Sequence, residues 1–425
     1  MIKIMKYGAI PNAEIFDRGE VRTNVEAAVA AIIADVRSRG DRALLDYAER
    51  FDGGAPEALE VTREEIEAGY NAVDPELIAI MEAAAENIRA FHSRQVRNSF
   101  IITEECGRVL GQRVVPIEKV GLYVPGGTAA YPSTVLMDAI PAKIAGAGEI
   151  VIVTPAKGGA IPPVILAAAR IAGVDRIFRT GGAQAIAALA YGTESVPRVD
   201  KIVGPGNAYV AEAKKQVFGQ VNIDMIAGPS EILVVADGNS DPRHLAADLL
   251  SQAEHDRMAS AVLVTDSLAL AEATADEIEK ELQTLPREDI ARESIEKRGK
   301  IIVCGDILTA VDVANEIAPE HLELCVDDPF ALLGKVKNAG SVFMGRNCPE
   351  AMGDYFAGPN HTLPTGGTAR FSSPLSVDDF VKKIQYSYYT RESLSEVYEK
   401  VAKFARAEGL EAHARSVESR FEGDK

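Results

Sequence analysis

The feature that most constrains this chain is an alternation of helical stretches with short β-branched runs. The segments AKIAGAGEIVIVT and ARIAGVDRIFRTG, which start at Ala142 and Ala169, share an Ala-x-Ile-Ala-Gly motif. Each indicates the end of a helix, a glycine stop and then a strand, which is typical of a parallel sheet. A second series of strands, from EILVVAD at Glu231 to SVFMG at Ser341, repeats the pattern. The sequence therefore predicts an α/β protein with two α/β units in tandem.

Two helical regions flank this alternation. From Arg22 to about Gln95 apolar residues recur with helical spacing, which indicates a helical layer. After Phe371 the strand pattern ends, and a tail of short helices is expected. Such a tail buries little surface alone, so we expect it to pack on the body or on another subunit. The predicted regions are 1–113 (helical, packing on the second α/β unit), 114–228 (first α/β domain), 229–372 (second α/β domain) and 373–425 (helical tail).

Composition and charge limit the binding partners and the cellular compartment that are expected for this chain. The chain has 425 residues, and 63 acidic against 45 basic side chains give a formal net charge of −18. Such a surface repels phosphate backbones, so neither nucleic acid nor an anionic membrane is expected as a partner, whereas a small anionic cofactor could still bind through local backbone dipoles. No signal peptide or membrane-length apolar run is present, which predicts a cytoplasmic protein. Scattered cysteines without a CxxC pair predict neither disulfides nor a thiolate zinc site. They are Cys106, Cys304, Cys325 and Cys348.

Three glycine-rich turns follow predicted strands of the first α/β unit. They are Pro125-Gly126-Gly127, Thr180-Gly181-Gly182 and Gly204-Pro205-Gly206-Asn207. At the carboxyl ends of parallel strands such turns let backbone N–H groups face phosphates. None completes a GxGxxG fingerprint, and each also fits a tight turn without a ligand. Their succession within one unit favours a small phosphate-containing ligand.

Side chains with metal-ligand chemistry lie near several of the six histidines. Gln252 and His255 are three positions apart on a predicted helix, so both can reach one metal ion. A solvated helix face explains the same spacing. Asp354 and His361 flank a Gly-Pro turn in GDYFAGPNHTLPT that is too polar for a simple core loop.

The last histidine, His413, follows Glu408 in AEGLEAHA. A site of Gln, His, Asp and His side chains would offer nitrogen and oxygen ligands without a thiolate, which suits zinc with positions open for substrate. His92 and His244 have no such neighbours, and we assign both to surface or helix-start roles.

Glu320 and His321 form an adjacent pair in APEHLEL, directly before an apolar strand. Neighbours on an extended chain point to opposite faces, but a turn at Pro319 allows both to serve one site. A carboxylate and an imidazole together supply the two groups of general acid–base chemistry. A capping pair at the start of a strand is the alternative.

Long motifs of the chain resemble one enzyme family, the histidinol dehydrogenases. The resemblance runs over nearly the whole length in the expected order. Strings such as GPGNAYV and AGPSEI are far more specific than a glycine fingerprint. The motifs are GLYVPGGTAAYPSTVLMDAIPAKIAG, TGGAQAIAALAYGT, DKIVGPGNAYVAEAK, IDMIAGPSEILVVAD, SQAEHD, APEHLEL, GSVFMG, GDYFAGPNHTLPT and EGLEAHA.

The resemblance implies an NAD-linked zinc enzyme of histidine biosynthesis that oxidises L-histidinol to L-histidine through a bound aldehyde, in two hydride transfers. Its fold would be two tandem incomplete Rossmann-like parallel-sheet domains with an N-terminal helical layer and a helical C-terminal tail. The enzyme would be an intertwined homodimer with one zinc per subunit, in which Glu408 and His413 act in trans.

Site residues carry over from the resemblance position by position. The zinc ligands would be Gln252, His255, Asp354 and His413, and the catalytic pair Glu320 and His321. The substrate contacts would be Ser230, His361 and Glu408, together with His321 and the four zinc ligands. The NAD contacts would be Tyr123, Gln184 and Asn207.

These roles suggest a mechanism as a hypothesis. Zinc would orient the substrate imidazole and amine, and His321 would accept the alcohol proton as hydride leaves. Glu320 would then activate the water that adds to the aldehyde, and His321 would take a second proton. Aldehyde oxidation often uses a cysteine thiolate, but Cys325 lies inside an apolar strand and is interpreted as core.

Three other functions remain open at this point. A relative with the same fold could oxidise a different small alcohol such as a sulfonated diol, although the carboxylate of Glu408 favours a cationic amino alcohol. A metal-binding or dinucleotide-sensing protein without turnover would not need the Glu320-His321 pair. A zinc hydrolase would leave the glycine turns unexplained.

Overall fold

The structure is a computed structural model that describes residues 1–17, 24–105, 107–126 and 130–422. Within these residues the strands are β1 (Lys3–Lys6), β2 (Phe100–Thr103), β3 (Val109–Pro116), β4 (Lys119–Tyr123), β5 (Glu149–Thr154), β6 (Arg176–Arg179), β7 (Lys201–Val203), β8 (Asn222–Ile223), β9 (Glu231–Ala236), β10 (Ser260–Thr265), β11 (Lys300–Val303), β12 (His321–Cys325), β13 (Ser341–Met344) and β14 (Val381–Tyr388).

The helices of the same residues alternate with these strands over the middle of the chain. They are α1 (Asn12–Ile15), α2 (Glu26–Arg39), α3 (Asp41–Phe51), α4 (Arg63–Ala72), α5 (Pro75–His92), α6 (Pro132–Ala145), α7 (Pro163–Ala172), α8 (Gly182–Tyr191), α9 (Ala208–Val217), α10 (Pro242–Ala253), α11 (Leu268–Leu282), α12 (Glu288–Arg298), α13 (Ile307–Ile317), α14 (Pro329–Leu333), α15 (Glu350–Tyr355), α16 (Arg391–Ser395), α17 (Tyr398–Ala407) and α18 (Glu411–Glu418). Short 3₁₀ turns span Ser93–Gln95, Thr368–Arg370 and Val377–Phe380.

Two parallel sheets confirm the α/β prediction. In the described residues the first sheet has the strand order β6-β5-β4-β7-β8, and the second has the order β1-β11-β10-β9-β12-β13. The Ala-x-Ile-Ala-Gly motif acts as expected, because Gly146 and Gly173 end α6 and α7 in the left-handed conformation, at φ 86° and 75°. Glycine adopts this conformation without the steric cost that a side chain brings.

In each parallel sheet, successive strands are added on one side of a starting strand and later strands on its other side, so the strand order changes direction there. In the first sheet the reversal falls between β4 and β7, and in the second it falls between β9 and β12. Open parallel sheets bind ligands in the crevice at such a switch point, at the carboxyl ends of the strands. The glycine turns after β4 and β7 flank the first crevice, although Gly127 lies outside the described residues.

The N-terminal helices do not pack where the sequence predicts. Val29 and Ile33 of α2 share a buried cluster with Ile186 of α8 on one face of the first sheet. On the other face, Met81 of α5 packs in a cluster with Ile140 of α6. The helical layer therefore covers the first α/β unit, and the prediction that it packs on the second unit is wrong. From the N-terminal region the second sheet receives the strand β1, which pairs with β11.

The chain divides into two compact units. The first consists of Met1–Gln95 and Ile117–Phe380 and contains both parallel sheets. The second consists of Val96–Pro116 and Val381–Lys425, so its two segments lie far apart in the sequence. It contains the three-stranded antiparallel sheet β14-β3-β2 and the helices α16 to α18.

The C-terminal tail is therefore only partly helical. Its first regular element is the strand β14, which pairs with β3 over its whole length, from Val381 opposite Pro116 to Tyr388 opposite Val109. The helical prediction for 373–425 holds for α16 to α18 and is wrong for β14. Likewise, β1, β2 and β3 interrupt the region 1–113 that was predicted as helical. In the described part of the chain, no helix combines the length and the apolar character needed to cross a membrane.

Candidate active site

The predicted catalytic pair lies at the amino end of β12 in the second sheet, beside the start of β9. His321 is the first residue of β12 and pairs with Ile232 of β9 and with Ser341 of β13. Glu231, the first residue of β9, and Ser230 directly before it therefore lie beside Glu320 and His321. The expectation that ligands meet the carboxyl ends of strands does not hold for these residues. The loops before β9, β12 and β13 build this edge instead.

One ring nitrogen of His321 is committed to the backbone. Its Nδ1 lies 2.9 Å from the carbonyl oxygen of Glu231 and must donate to it, because a carbonyl can only accept. In the neutral ring this leaves Nε2 without a proton, and Nε2 has no hydrogen-bond partner among the described residues. Burial lowers the pKa of His321 below its ordinary value, which favours this neutral form. The arrangement presents Nε2 as a proton acceptor.

Glu320 is held by the same neighbour. Its Oε2 accepts a 2.9 Å hydrogen bond from the backbone N–H of Glu231, as a strand-capping carboxyl would. The pKa of Glu320 is raised well above the ordinary range, because of burial first and the nearby carboxylates of Glu231, Asp354 and Glu350 next. A raised pKa makes the ionised carboxylate of Glu320 a stronger proton acceptor than a carboxylate in water. The capping role and the acid–base role are therefore compatible in one side chain.

A cluster of ligand atoms adjoins the free nitrogen of His321. Donor atoms of His321, Glu350 and Asp354 all lie within 4.8 Å of one another, and His321 Nε2 is 3.8 Å from Glu350 Oε1. Burial and the nearby Glu350 raise the pKa of Asp354. Three such groups in one place can hold a cation. Asp354 was predicted as a metal ligand, whereas Glu350 was missed.

The spacing of Glu350 and Asp354 could have identified Glu350 as a candidate site residue from the sequence. Both lie on α15, four positions apart, so their side chains share one face of the helix. Glu350 is 2% exposed, and the backbone N–H that begins its helix donates a 2.7 Å hydrogen bond to Glu323 Oε1. Because the sequence interpretation relied on histidines, an acidic side chain without a histidine beside it gave no signal.

Gln252 and His255 lie at the end of α10, but they do not share a helix face. The helix ends at Ala253. His255 follows in a turn, and its backbone N–H donates a hydrogen bond to the carbonyl oxygen of Gln252. Gln252 is 1% exposed, and neither its Oε1 nor its Nε2 has a hydrogen-bond partner among the described residues. His255 is exposed, and its Nδ1 lies 3.5 Å from Ser230 Oγ.

An unpartnered buried amide costs free energy, so the surroundings of Gln252 fit a bound group that the side chain would contact. The same holds for the carboxylates nearby, whose charges repel one another without a cation. These side chains thus fit a metal ion with nitrogen and oxygen ligands.

His361 joins the cluster through Asp354. Its Nδ1 donates to the backbone carbonyl of Asp354 at 3.2 Å. The pKa of His361 falls to about 4, chiefly through burial and further through the nearby imidazoles of His321 and His255. His361 thus lies close to both predicted functional histidines of the second α/β unit.

The residues beside His361 tie its loop to α6 of the first α/β unit. Asn360 Nδ2 donates to the carbonyl of Met137 at 2.6 Å, and Thr362 Oγ1 donates to Asp138 Oδ1 at 2.8 Å. Further along the loop, the N–H of Gly366 donates to Glu231 Oε1 at 3.2 Å. The loop therefore bridges a helix of the first sheet and the amino edge of the second.

Glu408 and His413 belong to the second compact unit. Glu408 follows the last residue of α17, and His413 lies in the first half of α18, with Gly409 at φ 77° between the two helices. Both side chains are exposed. Their place in the same site as Gln252, His255 and Asp354 stays a prediction.

The three predicted NAD contacts lie around the carboxyl ends of the first sheet. Tyr123 ends β4 and Gln184 lies in the first turn of α8; both are buried, at 4% exposed. They meet at Gly182, whose N–H donates to Tyr123 Oη at 3.2 Å and whose missing Cβ would lie 2.8 Å from Gln184 Oε1. Asn207 is exposed and caps α9 through its Oδ1.

Other residues singled out in the sequence have simpler places. His92 is fully buried at the end of α5, where its Nδ1 lies 2.7 Å from Gln95 Oε1, so the surface assignment is wrong. His244 is exposed in the first turn of α10, as predicted. Cys325 is buried in a core cluster, and burial raises the pKa of its thiol, which agrees with a packing role. Cys106 lies outside the described residues.

Comparisons with known proteins agree on one family. A family model described as histidinol dehydrogenase matches residues 17–421. A histidinol dehydrogenase of Syntrophotalea carbinolica is 58% identical over 418 residues, which cover 98% of this chain and 97% of that protein. One from Geobacter sulfurreducens is 57% identical and covers 96% of each chain. The crystal structure of a histidinol dehydrogenase from Elizabethkingia anophelis superposes with a TM-score of 0.93 at 38% identity, covering 99% of this chain and 98% of that one.

Proposed function

This chain belongs to the histidinol dehydrogenase family of NAD-dependent oxidoreductases, and from that premise we propose that it catalyses the full four-electron oxidation of L-histidinol to L-histidine. The reaction would proceed through a bound aldehyde and consume two NAD, as the last steps of histidine biosynthesis. The observation that carries the proposal is the buried, unpartnered Nε2 of His321 beside the carboxyl groups of Glu350 and Asp354.

We assign the metal to Gln252, His255, Asp354 and His413. The unpartnered amide of Gln252 supports this assignment, as do the ligand atoms gathered around Asp354. These nitrogen and oxygen donors suit zinc, with positions left for the substrate. Glu350 and His321 then lie beside the metal rather than in its predicted ligand set. When bound, zinc would orient the imidazole and amine of the substrate, and NAD would supply the hydride acceptor of each oxidation.

The proton chemistry falls to His321 and Glu320. In the first oxidation, His321 Nε2 accepts the hydroxyl proton as the carbinol carbon loses its hydride. A base is needed again for the aldehyde, because water must lose a proton as its oxygen bonds to the carbonyl carbon. Glu320, in its ionised form, takes that proton, and His321 returns the proton of the first oxidation to the carbonyl oxygen, which completes the hydrate. His321, neutral again, then accepts one hydroxyl proton of the hydrate as the second hydride leaves, which yields the carboxylic acid. The acid loses its proton to water and becomes the carboxylate.

Substrate recognition would combine charge and shape. Ser230, His361 and Glu408 are the proposed contacts besides the metal ligands. A carboxylate such as Glu408 suits a cationic amino alcohol and would repel a sulfonated diol. At the cofactor, Asn207 lies beside the switch-point crevice, and Tyr123 and Gln184 support the neighbouring turn from the buried side.

We also propose that the enzyme is a homodimer in which Glu408 and His413 complete the site of the partner subunit. Apolar side chains of the second compact unit support this, because many are exposed in the single chain. Phe100, Ile101, Ile102, Tyr388 and Phe404 are 50% to 70% exposed. Apolar patches of this kind mark interaction surfaces. The buried thiols of Cys304 and Cys325, which form no disulfide, support a cytoplasmic location.

The proposal is tested by counting NADH per histidinol consumed. Two NADH are expected, whereas one would reduce the activity to that of a simple alcohol dehydrogenase. A sulfonated propanediol serves as the control substrate, and its oxidation in place of histidinol would contradict the assignment.

The division of roles is tested by Glu320→Gln, assayed separately on histidinol and on histidinal. The amide still accepts the hydrogen bond from Glu231 but takes up no proton from water. We expect aldehyde oxidation to fall about 100-fold or more, with alcohol oxidation affected much less. Equal losses in the two steps would refute the assigned role of Glu320.

A further inference from the structure

A buried ion pair lies under the glycine turn that follows β7. Lys214 of α9 pairs through Nζ with Asp224, which follows β8, and the two side chains are 2% and 1% exposed. Burying two charges costs so much solvation that a pair of this kind adds little net stability. Apolar replacements of similar volume are often equally stable. A function in positioning would explain the pair better than stability.

Both partners hold the same residue, Gly204. Lys214 Nζ donates to the carbonyl oxygen of Gly204 at 2.9 Å, and the N–H of Gly204 donates to Asp224 Oδ2 at 2.8 Å. The pair thus clamps both backbone groups of the first residue of the turn. Because the two charges compensate each other, the clamp acts through geometry rather than by attracting a ligand.

Gly204 lies against the end of β4, the other strand that borders the crevice. Gly204 has φ +112°, and a Cβ there would lie 2.2 Å from the carbonyl oxygen of Tyr123. The turn therefore runs in contact with the end of β4, directly across the switch point. Asn207, three residues later, caps α9 through its Oδ1. A shift of Gly204 would move this turn and the start of α9 relative to β4.

We propose that Lys214 and Asp224 are positioning residues of the cofactor site, which fix the turn from Gly204 to Asn207 in the conformation that receives NAD. This inference rests on the proposed NAD site and deepens it. Neither side chain touches the cofactor in this proposal. Both act through the backbone of Gly204.

The test replaces the pair without leaving a single buried charge. In K214M/D224N both charges disappear together, whereas a single change would strand one charge in the core and unfold the chain. We expect the double variant to fold with a melting temperature close to that of the wild type. The Kd for NADH, measured by fluorescence titration, and the KM for NAD should rise about tenfold or more. Histidinol binding and zinc content should stay unchanged, which a general loss of structure would not allow.

Two conservative variants and one control complete the experiment. K214R and D224E keep the ion pair but displace the donor or the acceptor, so they should fold and weaken NADH binding as well. The control K201M/D379N removes the ion pair of Lys201 and Asp379 at the opposite end of β7, where the side chain of Lys201 is 4% exposed. This control should leave NADH binding unchanged.

Each outcome decides the question. NADH binding within twofold of the wild type in the folded variants would overturn the proposal. Failure of all three variants to fold would assign the pair to stability and overturn it too. A wild-type protein that binds NADH but does not oxidise histidinol would contradict the proposed function alone. Weaker NADH binding by the variants would still support the positioning role in that case.

Discussion

At the scale of single residues, the proposed chemistry depends on which nitrogen of His321 is free. Because Nδ1 keeps its proton to donate a hydrogen bond to the carbonyl oxygen of Glu231, only Nε2 can act as the base. His321→Gln removes this base and keeps a polar side chain. We expect kcat to fall about 100- to 10,000-fold, with a much smaller change in the Kd for histidinol. Steady-state kinetics and calorimetry measure the two quantities.

The matched control for this variant is His244→Gln. His244 is exposed in the first turn of α10 and has no proposed role, so this change should leave kcat within twofold of the wild type. A His321→Gln enzyme with nearly normal kcat would contradict the assignment of the base.

Asp138 leads to a prediction about pH. It is fully buried on α6, and burial raises its pKa to about 7, while the hydrogen bond from Thr362 opposes the shift. A carboxyl whose folded-state pKa is raised stabilises the protein fully below its unfolded pKa, near 4. This contribution is lost as the pH rises to about 7. Asp138→Asn keeps the shape and removes the titration.

The expected result is a difference in pH dependence. Between pH 4 and pH 8 the free energy of unfolding of the wild type, relative to Asp138→Asn, should fall by roughly 4 kcal/mol. Urea unfolding at several pH values measures it, and Asp289→Asn at an exposed position serves as the control. Parallel pH profiles for the wild type and Asp138→Asn would show that Asp138 does not titrate in this range.

The identity of the site residues could be predicted from the sequence, but their hydrogen bonding and their neighbours in space could not. The motifs identified His321 and Glu320, yet the free nitrogen of the histidine follows from the carbonyl of Glu231, a residue far away in the chain. Similarly, the motif around Asp354 did not reveal Glu350, because its relevance appears only when α15 faces β12. The state of a side chain thus depends on contacts that a linear motif does not contain.

At the scale of elements, the approach of β13 to β12 sets the position of the catalytic pair. Gly340 directly precedes β13, and a Cβ at Gly340 would lie 2.5 Å from the carbonyl oxygen of Glu320. The N–H of Ser341 also donates to this oxygen, at 2.9 Å. In Gly340→Ala the two strands must move apart at Glu320, directly before His321 begins β12.

We expect Gly340→Ala to reduce kcat about tenfold or more and to destabilise the protein by about 1 to 3 kcal/mol. Kinetics together with urea unfolding measure both effects. Gly334→Ala is the control, because no atom lies within 4 Å of its added Cβ. If Gly340→Ala and Gly334→Ala behave alike, the strand spacing does not control activity.

Elements with strong patterns were predictable, and those with weak patterns were not. Inner strands of both parallel sheets, such as β5, β9 and β10, are buried on both faces, so they appear in the sequence as apolar β-branched runs. By contrast, β14 (VKKIQYSY) is exposed along nearly its whole length and shows no such run. The spacing Ser376-x-x-Asp379 is typical of a helix start, but Asp379 instead accepts hydrogen bonds from Ser376 in a 3₁₀ turn that leads into this strand.

At the scale of the whole molecule, the proposal of shared active sites predicts complementation between two inactive variants. His413→Ala lacks a metal ligand and His321→Gln lacks the base. If His413 acts in trans, a heterodimer of the two variants has one site with both defects and one intact site. We expect such heterodimers, purified through two different tags, to recover about half of the wild-type activity per dimer.

Both parent homodimers must be nearly inactive for this experiment to be informative, and their mixture before assembly serves as the control. Heterodimers without activity would mean that His413 serves its own chain. Sedimentation of the wild type as a monomer would exclude the shared site altogether.

The arrangement of the whole chain was predictable only in part. The order of helices and strands gave two parallel sheets in tandem, because each strand–helix repeat determines its own local packing. The partner of the N-terminal helices could not be read in this way. The amphipathic pattern of α2 shows that Val29 and Ile33 are buried, but not that α8 covers them. Apolar periodicity reports burial and leaves the partner open.

The pairing of β3 with β14 has a consequence for synthesis on the ribosome. β3 is synthesised well before β14, because most strands of both parallel sheets lie between the two in the sequence. Until then, one edge of the β2–β3 hairpin stays open to other nascent chains, which is a known route to aggregation. The antiparallel sheet can therefore close this edge only after β14 has left the ribosome, however early β2 and β3 are made.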